Sequence, residues 1–413
     1  MLKSVLIVAY YFPPMGLGGV QRMLKLAKYL PEYGFKVHVL TVKPVSYPAY
    51  DESLLSELPS SVEIHRAGSQ DPSRIAKLLG ISFKPPSKIK TLAKNKGGMW
   101  PDSKIGWKKK AVRLGQEIIR RENIDVILSS SPPITSHLVA IELSELCDVP
   151  YVADFRDIWE SRPPEELYSD EITIKKSHDL LARIAQSASV VTGINNAICE
   201  RISSVGEVIP GGFDPDDFRD VSGNTDDAFT LCYLGSVGQL HPLEPFFKAA
   251  QIASQKNKEL ESSLRFLIIG KNNNEEILSV ANQYGLREKV RLTGYTPHKQ
   301  AVQLASSCSV SILSVPSGYN DILTGKIFDY LALPIPTLAV VPPHGEAAKL
   351  IQTHIAGICV SPDDTHAIAE AMIELFKRKQ TGETWRKKDV DKLTRKHAAG
   401  QFAKIINRVT GER

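Results

Sequence analysis

The sequence alternates short apolar runs with amphipathic stretches, and this alternation limits the chain to an α/β fold. The first run, residues 4–9, is followed by a loop rich in proline and glycine, a helical pattern at 20–33 and a second apolar run at 36–42. Runs that are apolar on both faces are typical of strands in a parallel sheet, whose neighbours need a helical crossover. The sequence therefore begins with a βαβ unit that has a glycine-rich turn after its first strand.

The same alternation continues to the end of the chain and predicts two doubly wound sheets. Further strands are predicted at 62–65, 126–129, 151–154, 190–192, 230–233, 265–270, 290–293, 310–315, 337–341 and 357–360. Helices are predicted at 104–122, 134–146, 174–187, 243–256, 275–285, 297–307 and 365–378, and from 325. A length of 413 residues suits two or three domains. We place one domain at 1–210, a second at 211–386 and a C-terminal helix within 387–413, with the linker near 210–226, where Gly, Pro, Ser and Asp dominate.

Several protein classes are disfavoured by the sequence. No stretch approaches the roughly 18 consecutive apolar residues of a membrane span. No small-residue cleavage site follows the apolar run at 2–11, so we interpret that run as a strand and not as a signal peptide. The five cysteines are odd in number and lack metal-ligand spacing, which is typical of reduced thiols in a cytoplasmic protein. We therefore expect a cytoplasmic location.

Positive charge is concentrated in residues 74–121, which contain 14 Lys or Arg and two acidic residues, so this segment carries +12 and the remainder −7. The segment also contains Phe83, Met99, Trp100 and Trp107. This composition suits an anionic membrane surface, where each basic residue contributes about 1 kcal/mol. The alternative is a solvated basic face with both tryptophans packed inward. No recognised fold or stacking motif accompanies the charge, so nucleic acid is not predicted as a partner.

The stretch 317–336 predicts an anion site. Pro316 and Gly318 end a buried strand, and we expect Thr324 to cap a short helix that begins at Gly325. Free backbone N–H groups at such a turn suit a diphosphate. Asp321 and Asp329 flank the turn and can accept hydrogen bonds from sugar hydroxyls. Spacing alone is equally compatible with a surface loop and solvated acids.

The first loop does not match a dinucleotide site. Gly16 and Gly18 lack the third glycine, which would fall at Gln21, and no acidic residue follows the second strand. The loop reads Pro-Pro-x-Gly-x-Gly-Gly-Val-Gln.

These motifs together resemble those of retaining GT-B glycosyltransferases of family four. Asp321 and Asp329 stand at the spacing of the family's two glutamates, the stretch 324–332 (Thr-Gly-Lys-Ile-Phe-Asp-Tyr-Leu-Ala) is similar to the exopolysaccharide-type motif, and the loop at 154–159 resembles its counterpart in polysaccharide enzymes. The resemblance implies two Rossmann-like domains facing an interdomain cleft. It also implies that Asp321 contacts the donor sugar and Asp329 the nucleotide ribose.

Other site residues follow from the same resemblance. Gly18 and Gly19 are implied to approach the donor phosphates. Residues around the nucleotide base and diphosphate are implied to be Gly235, Lys271 in the turn after Gly270, Thr293, Tyr295, Thr324 and Gly325. The sequence departs from the family after Gly235, where members often carry an Arg and a Lys, because residues 236–244 contain neither. Charge compensation then falls to Lys326, to Lys271, to the helix terminus or to an arginine of the first domain.

Polar residues after the third and fourth predicted strands of the first domain are candidates for the acceptor side. Asp154, Arg156 and Asp157 are predicted to order the acceptor or the wall of the active site, and Asp157 is counted with Asp321 and Lys326 as catalytic. A local ion pair between Arg156 and Asp157 is an equally good interpretation. His137 is included on the acceptor side, although a core or helix-start histidine is the commoner case.

Taken with these residues, the resemblance implies a retaining, metal-independent glycosyltransferase that moves a sugar from a nucleotide-diphosphate donor to a saccharide or lipid-linked acceptor. No cofactor is expected, the nucleotide sugar being a substrate. The basic charge of residues 74–121 further predicts that the protein binds peripherally to the inner face of the cell membrane. Two alternatives stay open, namely a non-catalytic nucleotide-sugar-binding partner of another transferase and a GT-B-like sugar-nucleotide 2-epimerase.

Overall fold

The computed structural model describes residues 2–411 apart from 17, 48, 81–98, 160–162, 204, 220, 222–226 and 239–240. The chain divides into two units, which we call the first domain (Met1–Gly211 with Arg395–Arg413) and the second domain (Gly212–Thr394). The linker predicted at 210–226 begins at this division and lies partly outside the described residues.

The second domain extends further than the sequence suggested. We placed its end at 386, but residues 387–394 remain part of it. The backbone N–H of Lys388 donates to the carbonyl oxygen of His354 (2.9 Å), and that of Phe213 donates to the carbonyl oxygen of Leu393 (3.0 Å). These hydrogen bonds hold the segment to the second domain up to the residue before the last helix.

The first domain is a doubly wound parallel sheet. Its strands are β1 (Lys3–Val8), β2 (Phe35–Val42), β3 (Glu63–Ala67), β4 (Val126–Ser131), β5 (Tyr151–Phe155), β6 (Val190–Gly193) and β7 (Glu207–Val208). Its helices are α1 (Gln21–Tyr29), α2 (Pro72–Leu78), α3 (Lys108–Glu122), α4 (Thr135–Cys147), α5 (Pro164–Leu167), α6 (Glu171–Ser187) and α7 (Asn196–Ile202). Within the described residues the strands pair in the order β3-β2-β1-β4-β5-β6-β7, all in parallel.

The second domain repeats this pattern. Its strands are β8 (Phe229–Leu234), β9 (Leu264–Ile269), β10 (Val290–Leu292), β11 (Val310–Ser314), β12 (Thr337–Val340) and β13 (Gly357–Val360). Its helices are α8 (Glu244–Lys256), α9 (Lys258–Ser263), α10 (Asn274–Gln283), α11 (His298–Ser306), α12 (Lys326–Ala332), α13 (Glu346–Thr353) and α14 (Thr365–Gln380). In the part of the chain that the structure covers, the strand order is β10-β9-β8-β11-β12-β13, again parallel.

The core of the second domain lies on both faces of its sheet. Successive strand residues point to opposite faces, so Leu231 and Tyr233 enter one apolar cluster while Cys232 and Leu234 enter the other. Helices α8 and α14 cover the first face, and α11, α12 and α13 cover the second. Burial on both faces is the reason that these strands read as continuous apolar runs in the sequence.

The last helix, α15 (Arg395–Val409), returns to the first domain. The guanidinium of Arg22 in α1 lies 5.3 Å from the centroid of the Phe402 ring. The Tyr33 hydroxyl donates to the carbonyl oxygen of Lys396 (3.0 Å), and a Cβ at Gly400 would lie 2.9 Å from that hydroxyl. The C-terminal helix is therefore packed on the first domain.

Both sheets reverse their strand order at one point, between β1 and β4 in the first domain and between β8 and β11 in the second. Crevices at the carboxyl ends of such strand pairs are the usual ligand sites of open α/β sheets. No helix in the described parts of the chain is long and apolar enough to span a membrane. The five cysteines are free thiols.

Candidate active site

Lys326 is the central basic residue at the reversal point of the second sheet. It is the first residue of α12, and its Nζ donates a hydrogen bond to the hydroxyl of Tyr233, the fifth residue of β8. The same Nζ lies 4.1 Å from the centroid of the Tyr233 ring. Tyr233 is fully buried, and its hydroxyl donates in turn to the carbonyl oxygen of Ser236 (2.8 Å). The lysine is therefore held at the carboxyl end of β8.

The charge of Lys326 lacks a counter-ion within the described residues, where no carboxylate forms an ion pair with it. Burial lowers the pKa of Lys326 to about 7. At neutral pH the ammonium and amine forms are therefore present in comparable amounts, and a bound anion would stabilise the ammonium form. This is the electrostatic arrangement expected of a site for an anionic ligand.

Glycine is required where the loops after β8 and β9 meet. Gly235 (φ +97°) and Gly270 (φ +140°) adopt backbone conformations that disfavour other residues, and a Cβ at Gly270 would lie 2.8 Å from the carbonyl oxygen of Gly235. A Cβ at Gly235 would lie 3.8 Å from Cε of Lys326. The structure thus brings together Gly235 and Lys326, which were predicted separately.

Asn272 links these loops, although it was not predicted as a site residue. Its side-chain amide donates to the carbonyl oxygens of Gly235 and Gly270 (3.2 Å each) and accepts from the backbone N–H of Val237 (2.7 Å). Three consecutive asparagines follow β9 in the sequence. Only the fold shows that the first of them, Asn272, reaches the loop after β8.

Thr293 lies beside the same loops, and its hydroxyl accepts from the N–H of Gly270 (3.4 Å). It also shares a hydrogen bond with the hydroxyl of Thr296 (3.0 Å). Lys271 is exposed in the turn before Asn272, and Tyr295 is half-buried. The predicted contacts of Lys271, Thr293 and Tyr295 with a nucleotide stay predictions.

His241 is a second residue that sequence reasoning missed. It lies in the loop after β8, and its Nδ1 is 2.9 Å from the carbonyl oxygen of Ser314, the last residue of β11. Burial and the nearby charge of Lys326 lower the pKa of His241 to about 4. The imidazole is therefore neutral at pH 7, with the proton on Nδ1 and Nε2 left as an acceptor.

The turn before α12 differs from the prediction in its capping. Gly325 is the residue before the helix, has helical dihedral angles (φ −58°, ψ −33°) and contributes no side-chain cap. The predicted N-cap role of Thr324 is wrong, because its hydroxyl is buried without a hydrogen-bond partner among the described residues and its carbonyl accepts from Ile327 N–H (3.2 Å). The N–H of Ile327 is therefore already bonded and is not one of the free N–H groups expected at this turn.

The two aspartates of the motif have different surroundings. Asp321 is half-buried in the turn that precedes α12, where the carbonyl oxygen of the preceding Asn320 accepts from the N–H of Glu346 (2.8 Å). Asp329 lies within α12, 3.6 Å from Nε2 of His298, which is also 3.5 Å from Asp217. The turn is thus held to the start of α13 through Asn320, and Asp329 faces His298.

A small pocket lies at the reversal point of the first sheet. It is lined by residues from the ends of β1, β4 and β5 and from the start of α1, namely Ala9, Tyr10, Tyr11, Gly19, Arg22, Met23, Ser130, Ser131, Pro132 and Arg156. Nη1 of Arg156 donates to the carbonyl oxygen of Gly19 (2.9 Å), and the Ser131 hydroxyl is buried without a partner among the described residues. The predicted Gly19 and Arg156 therefore meet here, whereas Gly18 is exposed.

Arg156 also forms the local ion pair considered from the sequence. Its Nε lies 3.3 Å from Oδ2 of Asp157, and both side chains are partly exposed. This pair and the contact with Gly19 fix the loop after β5, so Arg156 belongs to the wall of the pocket. Asp157 stays accessible beside it.

Asp154 is fully buried, so it does not contact an acceptor itself. Its carboxylate accepts from Nε (2.9 Å) and Nη2 (2.7 Å) of Arg22 and from the hydroxyls of Ser130 and Thr192 (2.8 Å each). These partners hold the pKa of Asp154 below its usual range. Asp154 therefore positions Arg22 from inside the domain.

His137 is likewise a core residue, and its acceptor-side assignment is wrong. It is fully buried in α4, with Nδ1 2.8 Å from the Ser129 hydroxyl and its ring 4.5 Å from that of Phe155. Burial lowers the pKa of His137 to about 3, so it stays neutral.

The tryptophans of the basic segment pack inward. Trp107 is fully buried, and Trp100 donates from Nε1 to the Ser177 hydroxyl (3.1 Å) beneath the ammonium group of Lys176, which lies 3.7 Å from its ring centroid. This arrangement matches the alternative of a basic face with both tryptophans packed inward. Phe83 and the basic residues at 84–96 lie outside the described residues.

Comparison with known proteins agrees with this architecture. Residues 228–378 match the sequence profile of the family described as Glycosyl transferases group 1. No curated protein matches the chain in sequence. Sucrose-phosphate synthase from Thermosynechococcus elongatus is similar in structure, with a TM-score of 0.68 and 14% identity over 98% of this chain and 99% of that chain.

Two further solved structures are similar over the whole chain. WaaG, a glycosyltransferase involved in lipopolysaccharide biosynthesis, has a TM-score of 0.61 and 12% identity over 98% of this chain and 99% of its own. A structure titled trehalose-6-phosphate from E. coli, bound with UDP-2-fluoro glucose, has a TM-score of 0.62 and 11% identity with the same coverage. The predicted GT-B fold is confirmed, and residues 228–378 of the second domain are similar to the glycosyl transferases group 1 family.

Proposed function

We propose that this protein transfers a glycosyl group from a nucleoside-diphosphate sugar to a saccharide or lipid-linked acceptor, with retention of anomeric configuration and without a metal. Lys326 is the observation that carries the proposal. It is a partly buried cation at the reversal point of a doubly wound sheet, and no carboxylate pairs with it in the described chain. A ligand that brings its own negative charge, such as a diphosphate, satisfies this site.

The donor would be held by the second domain. The diphosphate would lie against Lys326 and the glycine turn at Gly235, where the absence of a Cβ leaves room for backbone contact. Asp321 would accept from hydroxyls of the sugar, and Asp329 from hydroxyls of the ribose. Thr293, Tyr295 and Lys271 would surround the base and the diphosphate.

The chemistry would be a displacement at the anomeric carbon. The bond between C1 and the diphosphate oxygen breaks with its electron pair on that oxygen, and the acceptor oxygen bonds to C1 from the same face. The acceptor proton passes to the leaving diphosphate oxygen. Lys326 would stabilise the negative charge that develops there, a type of contribution worth about 10²–10³-fold in rate.

The acceptor would be bound by the first domain. The pocket beside Arg156 offers a guanidinium and the Ser131 hydroxyl, which has no partner among the described residues. These groups suit an oxygen-rich ligand such as a saccharide. Asp157 lies next to Arg156 and is partly exposed. Its carboxylate would contact the acceptor hydroxyl that reacts.

A peripheral position at an anionic membrane rests on the charge of residues 74–121 alone, because the tryptophans pack inward. Binding of the protein to vesicles that contain an anionic lipid should weaken as salt rises, since exposed charges are screened. Absent or salt-insensitive binding would remove this part of the proposal.

The test of the donor site is thermal stabilisation by nucleoside diphosphates, because a ligand of the folded state raises its apparent stability. We expect stabilisation of the unmodified protein and little of Lys326→Met. Lys349→Met, which removes an exposed lysine paired with Glu346, is the matched control and should respond like the unmodified protein. If both variants are stabilised equally, Lys326 is not the phosphate contact.

A non-catalytic nucleotide-sugar-binding protein is the second candidate, because residues 236–244 lack the Arg and Lys that family members often carry. Slow hydrolysis of donor sugars without any acceptor separates the two functions. A transferase is expected to show it, and a binding protein is not. Activity that persists in a chelator would support the metal-independent mechanism, and its loss would contradict that mechanism.

A further inference from the structure

A cluster of two histidines and a glutamate lies on the outer strands of the first sheet, apart from the pocket at β1 and β4. Strands β2 and β3 pair in parallel, with His38 opposite Glu63 and Leu40 opposite His65. Paired residues share a face of the sheet, and so do residues two apart along a strand. The register therefore places His38, Glu63 and His65 on one face.

The ligand atoms of the three side chains already lie at short separations. Nδ1 of His38 is 3.2 Å from Nε2 of His65, and these nitrogens are 3.7 Å and 3.9 Å from Oε2 of Glu63. A point equidistant from the three atoms lies about 2.1 Å from each, which is the length of Zn–N and Zn–O bonds in proteins.

The surroundings of His38 supply the support that metal-binding imidazoles usually have. His38 is fully buried, and its Nε2 is buried without a hydrogen-bond partner among the described residues. Oε2 of Glu122, the last residue of α3, lies 3.8 Å from Nε2. An ion on Nδ1 would fix the proton on Nε2, facing this carboxylate, in the carboxylate–histidine–metal arrangement common at such sites.

Two basic residues hold the carboxylates in place. Lys36 contacts Oε2 of Glu122 (2.7 Å) and Oε1 of Glu63 (3.5 Å), and Arg121 contacts Oε1 of Glu122 (2.6 Å). Oε2 of Glu63 is the oxygen that faces the two imidazoles. Because two carboxylates balance two basic groups, the cluster is neutral before an ion binds, and repulsion by Lys36 is offset.

We propose that His38, Glu63 and His65 bind a divalent transition-metal ion, with Zn²⁺ as the best match. Two imidazoles and one carboxylate favour Zn²⁺, Co²⁺ or a similar ion over Mg²⁺ and Ca²⁺, which prefer oxygen. Three protein ligands leave a fourth position for water. The ion would link β3, the edge strand of the sheet, to β2. This metal site does not depend on the proposed glycosyl transfer.

The competing explanation is a shared proton, in which one imidazole N–H donates to the other nitrogen across the 3.2 Å separation. Titration of chelator-treated full-length protein with Co²⁺ distinguishes the two. We expect one equivalent of Co²⁺ to give visible ligand-field bands without thiolate charge-transfer absorption, and Zn²⁺ to displace it. Absence of binding would leave the shared proton as the explanation and overturn the proposal, and thiolate absorption would place the ion on a cysteine instead.

The variants use the more exposed ligands, so that the fold is preserved. Glu63→Gln and His65→Gln should each weaken Zn²⁺ binding at least tenfold, and Glu122→Gln should weaken it by about 10–100-fold. His178→Gln is the control, since His178 pairs with Glu165 on the surface of the same domain, away from the cluster. Zn²⁺ should also raise the unfolding temperature of the unmodified protein but not that of Glu63→Gln. Equal binding by all four variants would show that the ion lies elsewhere.

Discussion

The ammonium group of Lys326 lies over the ring of Tyr233 and donates a hydrogen bond to its hydroxyl, although the two residues are 93 positions apart in the sequence. This contact joins the first residue of α12 to the end of β8. It leaves a cation at the reversal point of the second sheet without a carboxylate paired to it in the described chain. The predictions for the donor site depend on this relationship.

Replacement of Lys326 should abolish most of the activity while leaving the fold intact. Lys326→Met removes the charge but keeps an apolar stem of similar length over Tyr233. We expect the turnover number to fall by about 10²–10³-fold, since one group that stabilises transition-state charge is lost. Initial rates of donor consumption would show this, with circular dichroism as the check on folding. A rate within twofold of the unmodified protein would exclude the assigned role.

Binding of nucleoside diphosphate should weaken as the pH rises above 7. Burial lowers the pKa of Lys326 to about 7, so above this pH the free protein must take up a proton to present an ammonium group to the anion. The dissociation constant should therefore increase by up to about tenfold per pH unit. Calorimetry from pH 7.5 to 8.5, where the phosphate itself is ionised, would measure it. Lys326→Met should show no such slope, and a parallel slope in both proteins would assign it to another group.

Asp329 should determine recognition of the ribose. Asp329→Ala removes the carboxylate that is proposed to accept from ribose hydroxyls, a contact worth about 1.5–3 kcal/mol when one partner is charged. The unmodified protein should bind a ribonucleoside diphosphate about tenfold or more tightly than its deoxy analogues. The variant should bind both alike. If the preference survives the substitution, the ribose is held elsewhere.

The buried pair of Arg22 and Asp154 should contribute to stability and not to acceptor contact. Asp154→Asn leaves the Arg22 charge buried without its partner, and loss of one member of such a pair costs about 3–5 kcal/mol. Urea denaturation would measure the loss. Asp179→Asn is the control, because Asp179 pairs with Lys175 on the exposed face of α6 and such pairs contribute about 0.3–0.5 kcal/mol. Equal effects of the two changes would contradict the structural role.

Lys387 should make stability depend on pH. Its Nζ donates to the carbonyl oxygens of Tyr330 and Leu333 at the end of α12, and burial lowers its pKa to about 7. Between about pH 7 and the unfolded value of 10.5 the unfolded chain holds a proton that the folded protein lacks, so stability rises with pH in this window. Lys387→Met should gain less stability from pH 7 to pH 9 than the unmodified protein. Identical pH profiles would show that Lys387 is not the group responsible.

The sequence by itself determined the two parallel sheets. Strands such as β1 and β11 are buried on both faces, and their continuous apolar runs mark them without any knowledge of their neighbours. Gly235 and Gly270 directly follow β8 and β9, and their positive φ angles disfavour other residues there. The motif with Lys326 and Asp329 was also local, because both residues lie in one short helix.

Only the tertiary structure decided which polar residues face a ligand and which are internal. Asp154 and Arg156 are two positions apart in the sequence. Asp154 forms a buried ion pair with Arg22, whereas Arg156 lines the pocket and contacts Gly19. His137 lies in the core because it is on the buried face of α4. His241 lies near Lys326 because the loop after β8 passes the start of α12. His38 and His65 meet through strand register. Burial and pairing between distant segments set these positions, and neither quantity is encoded in the spacing of residues along the chain.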